Sequence, residues 1–217
     1  MGGRGASSFI SKMRAQAAKW SNKALGTAVP KTLSEALGKK GASLSVSEAY
    51  TGANPHYSPD YAEFSMNCQR CVVAYELRRR GYDVKAAPTY QGDKLPYAAH
   101  VKKYGTLNSY WMGAFKGAKT VSVAASSNKK VLQNIESKMN AYGPGSRAVI
   151  RVQWQQGGGH VFNVENVGGK IRYMDAQVGK NVNIREYLAA SKPGRTSIVR
   201  TDNLKVSERA KKSVTQK

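Results

Sequence analysis

The sequence predicts an α+β fold in which helices come first and an antiparallel sheet follows. Three observations predict it. Between Met66 and Gly81, Cys68, Cys71, Val72 and Tyr75 keep the i, i+3, i+4, i+7 spacing of one helix face. From Arg147 onward the apolar period falls to two. Gly168-Gly169 separates two of these period-two runs and has the composition of a two-residue hairpin turn.

The elements follow in order. Residues 1–45 read as a basic N-terminal arm outside the main domain. Phe9, Met13, Ala17 and Trp20 share a helical face, with Lys12, Arg14, Lys19 and Lys23 around it. That pattern suits a helix on its own core equally with a docking element for nucleic acid or a partner. Gly38 to Ser47 has linker composition, and Asn54-Pro55 and Ser58-Pro59 mark loops. In the helix that follows, Asn67 is expected to cap and Gly81 to terminate, with Arg78, Arg79 and Arg80 at the negative end of the dipole. Tyr82 to Pro88 is extended, Leu107 to Phe115 helical, and Ser127 to Met139 a helix with Val131, Leu132, Ile135 and Met139 on one face. Arg147–Trp154, His160–Val167 and Lys170–Gln177 form three antiparallel strands. Ile184–Ala190 is a short helix and Thr196–Thr201 a last strand. The domain therefore covers 46–203, and 204–217 is expected to be a basic disordered tail.

The chain has 217 residues, enough for one domain with arms, and 41% hydrophobic residues, enough for one core. A net charge of +22 implies an acidic partner, nucleic acid or another polyanion, met through the basic arms. Two cysteines close in sequence make no secreted disulfide framework. No stretch is long and apolar enough for a membrane span, and the N-terminus carries no signal peptide. The opening Met1-Gly2-Gly3-Arg4-Gly5-Ala6 has alanine where a myristoylation site wants Ser or Thr. The expectation is a soluble protein of a reducing compartment.

Cys68 is placed at the positive end of a helix dipole, which favours thiolate and makes it a candidate nucleophile. The hairpin supplies partners. With Val167 opposite Lys170, Phe162 faces Asp175 and His160 faces Gln177. His160 and Asp175 are then diagonal neighbours on one face, about 7–8 Å apart at the backbone. A carboxylate there can fix the imidazole tautomer and leave the other nitrogen for a thiol. A one-residue slip would carry Asp175 to the opposite face. Gly157, Gly158 and Gly159 precede His160 and let a substrate approach the backbone. The Cys68 backbone N–H is the candidate oxyanion donor, with Asn67 and Gln177 as supporting groups. The whole is the logic of Cys-His-Asp catalysis on a carbonyl or carboxamide carbon, with no cofactor and no metal.

Four blocks carry a family resemblance: Asn54-Pro55-His56-Tyr57; Asn67-Cys68-Gln69-Arg70-Cys71 running to Tyr82-Asp83-Val84; Gly158-Gly159-His160-Val161-Phe162-Asn163-Val164; and Asp175-Ala176-Gln177 with Gly179. In this order they resemble the papain-fold toxin domain, also called the glutamine deamidase toxin family, over about residues 46–203. Ala176 stands where the family often has proline. The resemblance implies a papain-like fold, with the nucleophile helix packed on an antiparallel sheet. It implies Cys68 as nucleophile, His160 as base and Asp175 as orienting carboxylate. It also implies a toxin or effector module of bacterial polymorphic toxins or phage head-associated proteins. Such a module has a protein substrate and a cognate immunity protein. It acts in the bacterial cytoplasm or is carried with a virion into a target cell. Glutamine deamidation is the favoured reaction. Peptide cleavage and transamidation share the nucleophile chemistry.

Other readings compete. Cys68-x-x-Cys71 has the spacing of a redox dithiol, but Pro59 to Met66 does not read as the buried strand that precedes one. His56, His100 and His160 lack zinc-finger spacing. Cys71 alone suits a buried small apolar position. Tyr97, Tyr104, Tyr110 and Trp111 among Lys102, Lys103 and Lys116 suit either core packing or a nucleic-acid surface. The rival of another class is a phage-associated structural or nucleic-acid-binding protein whose papain-like site is idle.

Overall fold

The computed structural model describes residues 30–60, 62–89 and 110–216. The expected helix around Phe9 to Trp20, and the aromatics Tyr97 and Tyr104, lie outside them. The first elements are α1 (Leu33–Leu37), α2 (Val46–Thr51), α3 (Ala62–Ser65) and α4 (Cys68–Arg79). Then come β1 (Val84–Ala86), a 3₁₀ turn (Tyr110–Ala114), β2 (Val121–Ser122) and α5 (Asn128–Tyr142). The sheet region holds β3 (Arg147–Gln153), β4 (Gly159–Val167), β5 (Lys170–Asp175), β6 (Lys180–Asn181), α6 (Ile184–Ala189) and β7 (Ser197–Arg200). A 3₁₀ turn (Glu208–Lys212) and β8 (Val214–Gln216) close the described chain. No helix among the described residues is long and apolar enough to cross a membrane.

The main sheet runs β2-β7-β3-β4-β5-β6, antiparallel throughout. The hairpin register is the one read from the glycine turn: Val167 pairs with Lys170 and Asn163 with Met174. Gly168 and Gly169 both have positive φ, 58° and 90°, which a two-residue turn of this hand requires. Strand alternation then divides the core. Ala148, Ile150, Val152, Phe162, Val164 and Ile198 pack with α5 and α6 on one face. Val149, Val161, Met174 and Val199 pack with α4, β1 and β8 on the other. Each fully buried aliphatic side chain here contributes about 1.5–3 kcal/mol.

Helix α4 is tied to the sheet by charge as well as by packing. Glu165 of β4 is buried and accepts from the Tyr75 hydroxyl (2.7 Å) and from Arg79 Nε (2.9 Å) and Nη2 (2.5 Å). Glu76 is buried and accepts from Arg80, from Arg147 through two nitrogens, and from the Thr201 hydroxyl. Arg78 is buried as well, against Asp83 and the Val84 and Glu48 carbonyls. The arginine run, expected to complement the helix dipole, also anchors α4 through ion pairs, with Arg78 buried and Arg79 and Arg80 half-buried.

Two expectations about the ends are corrected. Residues 204–216 of the expected disordered tail carry a 3₁₀ turn and a strand, with β8 pairing β1 antiparallel from Val84↔Gln216 to Ala86↔Val214. Residues 31–45 are not a separate arm where described. Ala36 and Leu37 are buried in the α4 core cluster with Ala210 and Val214, and Gln216 Nε2 donates to the Glu35 carbonyl. The expected Gly38 to Ser47 linker includes a Lys40↔Tyr82 bridge and the start of α2, capped by the reciprocal Ser45–Glu48 pair. Local polarity hid these segments, because their partners lie far away in sequence. Trp111 is buried in the core, as the packing alternative required.

Deleting 205–217 is therefore expected to lower the Tm clearly in a thermal scan, because it strips β1 of its partner strand. Glu165→Ala leaves Arg79 and Tyr75 facing an empty position, and is expected to cost about 3–5 kcal/mol in urea unfolding.

Candidate active site

Cys68 is the first residue of α4 and is half-buried at the border of the α4-side core. Its backbone N–H is one of the four that a helix start leaves without an intrahelical acceptor. His160 stands at the beginning of β4, on the opposite sheet face, with its side chain 10% exposed. The two meet where β4 begins, beside Gly157 and Gly158, whose surroundings are open.

His160 Nε2 lies 2.8 Å from Asp175 Oδ2. The Cys68 side chain is close enough to act on the charge of the ring, whose other nitrogen, Nδ1, is not engaged by Asp175. Asp175 is buried and fully engaged. Its Oδ2 also accepts from the Tyr187 hydroxyl at 2.8 Å, and its Oδ1 from the Gln177 backbone N–H at 2.9 Å. Burial alone would drive the imidazole toward neutrality. The bond to Asp175 and the nearby Cys68 outweigh it and push its pKa up to about 10. Asp175 moves the other way: burial works against its charge, but His160, Tyr187 and the Gln177 amide together hold it below its ordinary value. The carboxylate thus favours the protonated imidazole over the neutral one.

Aromatic rings enclose that pair. Trp154 stacks on the imidazole with centroids 5.7 Å apart and planes 18° from parallel. Tyr187 meets both Trp154 and Phe162 edge-on. The indole face favours the imidazolium and keeps water off its bond to Asp175. Neither Trp154 nor Tyr187 stood out in the sequence. Trp154 directly follows β3, two residues past the buried Val152, and bridges to Ser191. Tyr187 stands at i+3 from Ile184, so the helical period could have placed it on the sheet-facing side.

Asn67 departs from its expected role. It occupies the N-cap position, but its side chain makes no capping bond. Its Nδ2 donates to Asn54 Oδ1 (3.1 Å) and the Ala87 carbonyl, and its Oδ1 accepts from Asn54 Nδ2 (3.3 Å) and the Cys71 thiol (3.1 Å). With both ends turned inward, its amide does not reach an oxyanion; it fixes the start of the helix. Asn54 is buried and also donates to the Gln177 carbonyl at 2.8 Å. The amide pair therefore ties the start of α4 to the turn after Asp175. Gln177 is buried, and its Nε2 has no hydrogen-bond partner among the described residues. Cys71 is fully buried, and burial pushes its thiol pKa well up. No group of three or more potential metal ligands occurs among the described residues.

The His160 shift fixes a pH window. A raised folded pKa means stability present in full below about pH 6.5, the ordinary imidazole value, and lost as pH rises through about 10. Imidazole NMR of the full chain is expected to find His160 still protonated at pH 8, with Asp175→Asn moving its titration downward.

Comparison with known proteins adds one finding. A family model described as papain fold toxin 1, glutamine deamidase matches residues 66–180, which include Cys68, His160 and Asp175. No curated protein and no solved structure matches the chain significantly.

Proposed function

Since the chain belongs to the papain-fold toxin 1, glutamine deamidase family, we propose that it hydrolyses the side-chain carboxamide of glutamine in a protein, with Cys68, His160 and Asp175 as a catalytic triad. The observation that carries this reading is the imidazole of His160, bonded to the Asp175 carboxylate at 2.8 Å and near enough to Cys68 for the two to act on each other's charge.

In this mechanism the Cys68 sulfur, its proton passed to His160, attacks the carboxamide carbon. The negative charge that develops on the oxygen meets the Cys68 backbone N–H at the helix start, and Gln177 Nε2 is the side-chain donor assigned to it. The imidazolium gives its proton to the departing nitrogen, which leaves as ammonia. The neutral imidazole then takes a proton from water, which attacks the thioester. The glutamate product leaves and the thiol is restored. Asp175 holds one tautomer and supports the cation throughout. Gly157, Gly158 and Gly159 present backbone without side chains at the edge of this path. As partners we propose a cognate immunity protein and a polyanion met through the basic arms.

The test is intact-mass and peptide analysis of glutamine-rich proteins after incubation with the full chain. The expected result is the small mass gain of amide-to-acid conversion, with ammonia released. Cys68→Ala is expected to abolish it, and His160→Ala to lower it at least a hundredfold. Asp175→Ala is expected to cost less than Cys68→Ala. Chain cleavage instead of amide conversion would replace the deamidase reading with a peptidase one.

A further inference from the structure

We propose that Tyr57 is the specificity-determining residue of this site, contacting the polypeptide beside the target glutamine and selecting an apolar or aromatic neighbour. The inference rests on the glutamine reading above and adds what the enzyme recognises around that side chain.

Tyr57 is 38% exposed and is the one large hydrophobic side chain left exposed among the described residues. A single exposed aromatic is ordinary on a protein surface. Its position makes this one informative. Tyr57 lies in the loop between α2 and α3, and that loop is built into the site. Its backbone N–H donates to the Asn54 carbonyl at 3.1 Å. The Asn54 side chain in turn holds the Gln177 carbonyl, the Phe64 carbonyl and Asn67, the residue before Cys68. The preceding helix leans on the same turn: Gly179 faces the Tyr50 and Thr51 backbone, and Asn181 donates to the Tyr50 hydroxyl.

Tyr57 is thus an exposed aromatic on the loop whose Asn54 is bonded to the residues flanking Cys68 and Asp175, while Trp154 and Tyr187 are occupied in enclosing His160. A glutamine side chain is short. When its carboxamide reaches Cys68, its main chain stays at the surface, where an exposed ring contributes by covering apolar area. Free glutamine would bring an α-ammonium in need of a carboxylate. The site carboxylate, Asp175, is buried and its oxygens are taken. Recognition through Tyr57 therefore suits a glutaminyl residue within a chain.

The experiment uses the full protein with acetyl-Ala-Gln-Ala-amide and acetyl-Phe-Gln-Phe-amide, and with matched peptides carrying a chloroacetamide in place of the carboxamide. Ammonia release and mass-mapped Cys68 labelling are read for wild type, Tyr57→Ala and Tyr57→Phe. Plain iodoacetamide labelling of Cys68, equal in all three, shows that the variants keep the site. The wild type is expected to favour the phenylalanine-flanked peptide about tenfold through KM. Tyr57→Ala is expected to lose that preference with kcat unchanged, and Tyr57→Phe to keep it. Retention of the full preference by Tyr57→Ala, or its absence from the wild type, overturns the proposal. A Tyr57-dependent preference in labelling without ammonia release would uphold the contact and overturn the deamidase reading.

Discussion

Two carboxylates kept from water, Glu76 and Glu165, decide where helix α4 lies. Each charge would be too costly to bury alone, so each must be met by several donors at once. Glu165 projects from β4 and gathers Tyr75 and Arg79 of the helix. Glu76 projects from the helix and gathers Arg147 of β3 and Thr201 past β7. One carboxylate reaches from sheet to helix and the other from helix to sheet. A shift of the helix along its axis would strand both. Apolar packing alone tolerates sliding far better than paired buried charges do. Cys68 and His160 occupy the two elements so joined, and their meeting depends on that alignment.

The far end of the same helix is fixed differently. There the devices are neutral: the reciprocal amide pair of Asn54 and Asn67, and the bond from Asn54 to the Gln177 carbonyl. They connect the first turn of α4 to the turn that follows Asp175. The start of α4 and the turn after Asp175 are thus held relative to one another through Asn54, beside the bond of His160 to Asp175. The chemistry is concentrated where the protein is polar yet buried, and the exposed glycines stand at its edge. Rigid support on one side and open backbone on the other is what a site for a macromolecular substrate needs.

Much of this was legible in the sequence, for a physical reason. Strand alternation and a glycine turn fix a hairpin register over a few residues, so the relation of His160 to Asp175 followed from counting. The helix from Cys68 followed from its apolar face. What sequence could not give were relations closed over long separations. Asn54 read as a loop marker because asparagine before proline usually is one, yet it is buried and bonded to residue 177. Asn67 read as a cap because asparagine usually caps, and tertiary partners took its side chain instead. The arginines after Glu76 read as complements to the negative end of the helix dipole, and the C-terminal residues as a tail. Their partners, Glu165, Glu48 and β1, are visible only once the chain is folded.

The central claim is that Cys68, activated by His160, is the reactive group of this fold. Its most direct test is the rate of alkylation of each cysteine by limiting iodoacetamide, resolved by peptide mass mapping in wild type and His160→Ala. The account predicts that Cys68 is labelled well ahead of the buried Cys71, and that removing His160 slows Cys68 specifically. Preferential labelling of Cys71, or a Cys68 rate indifferent to His160 in a folded protein, would contradict it.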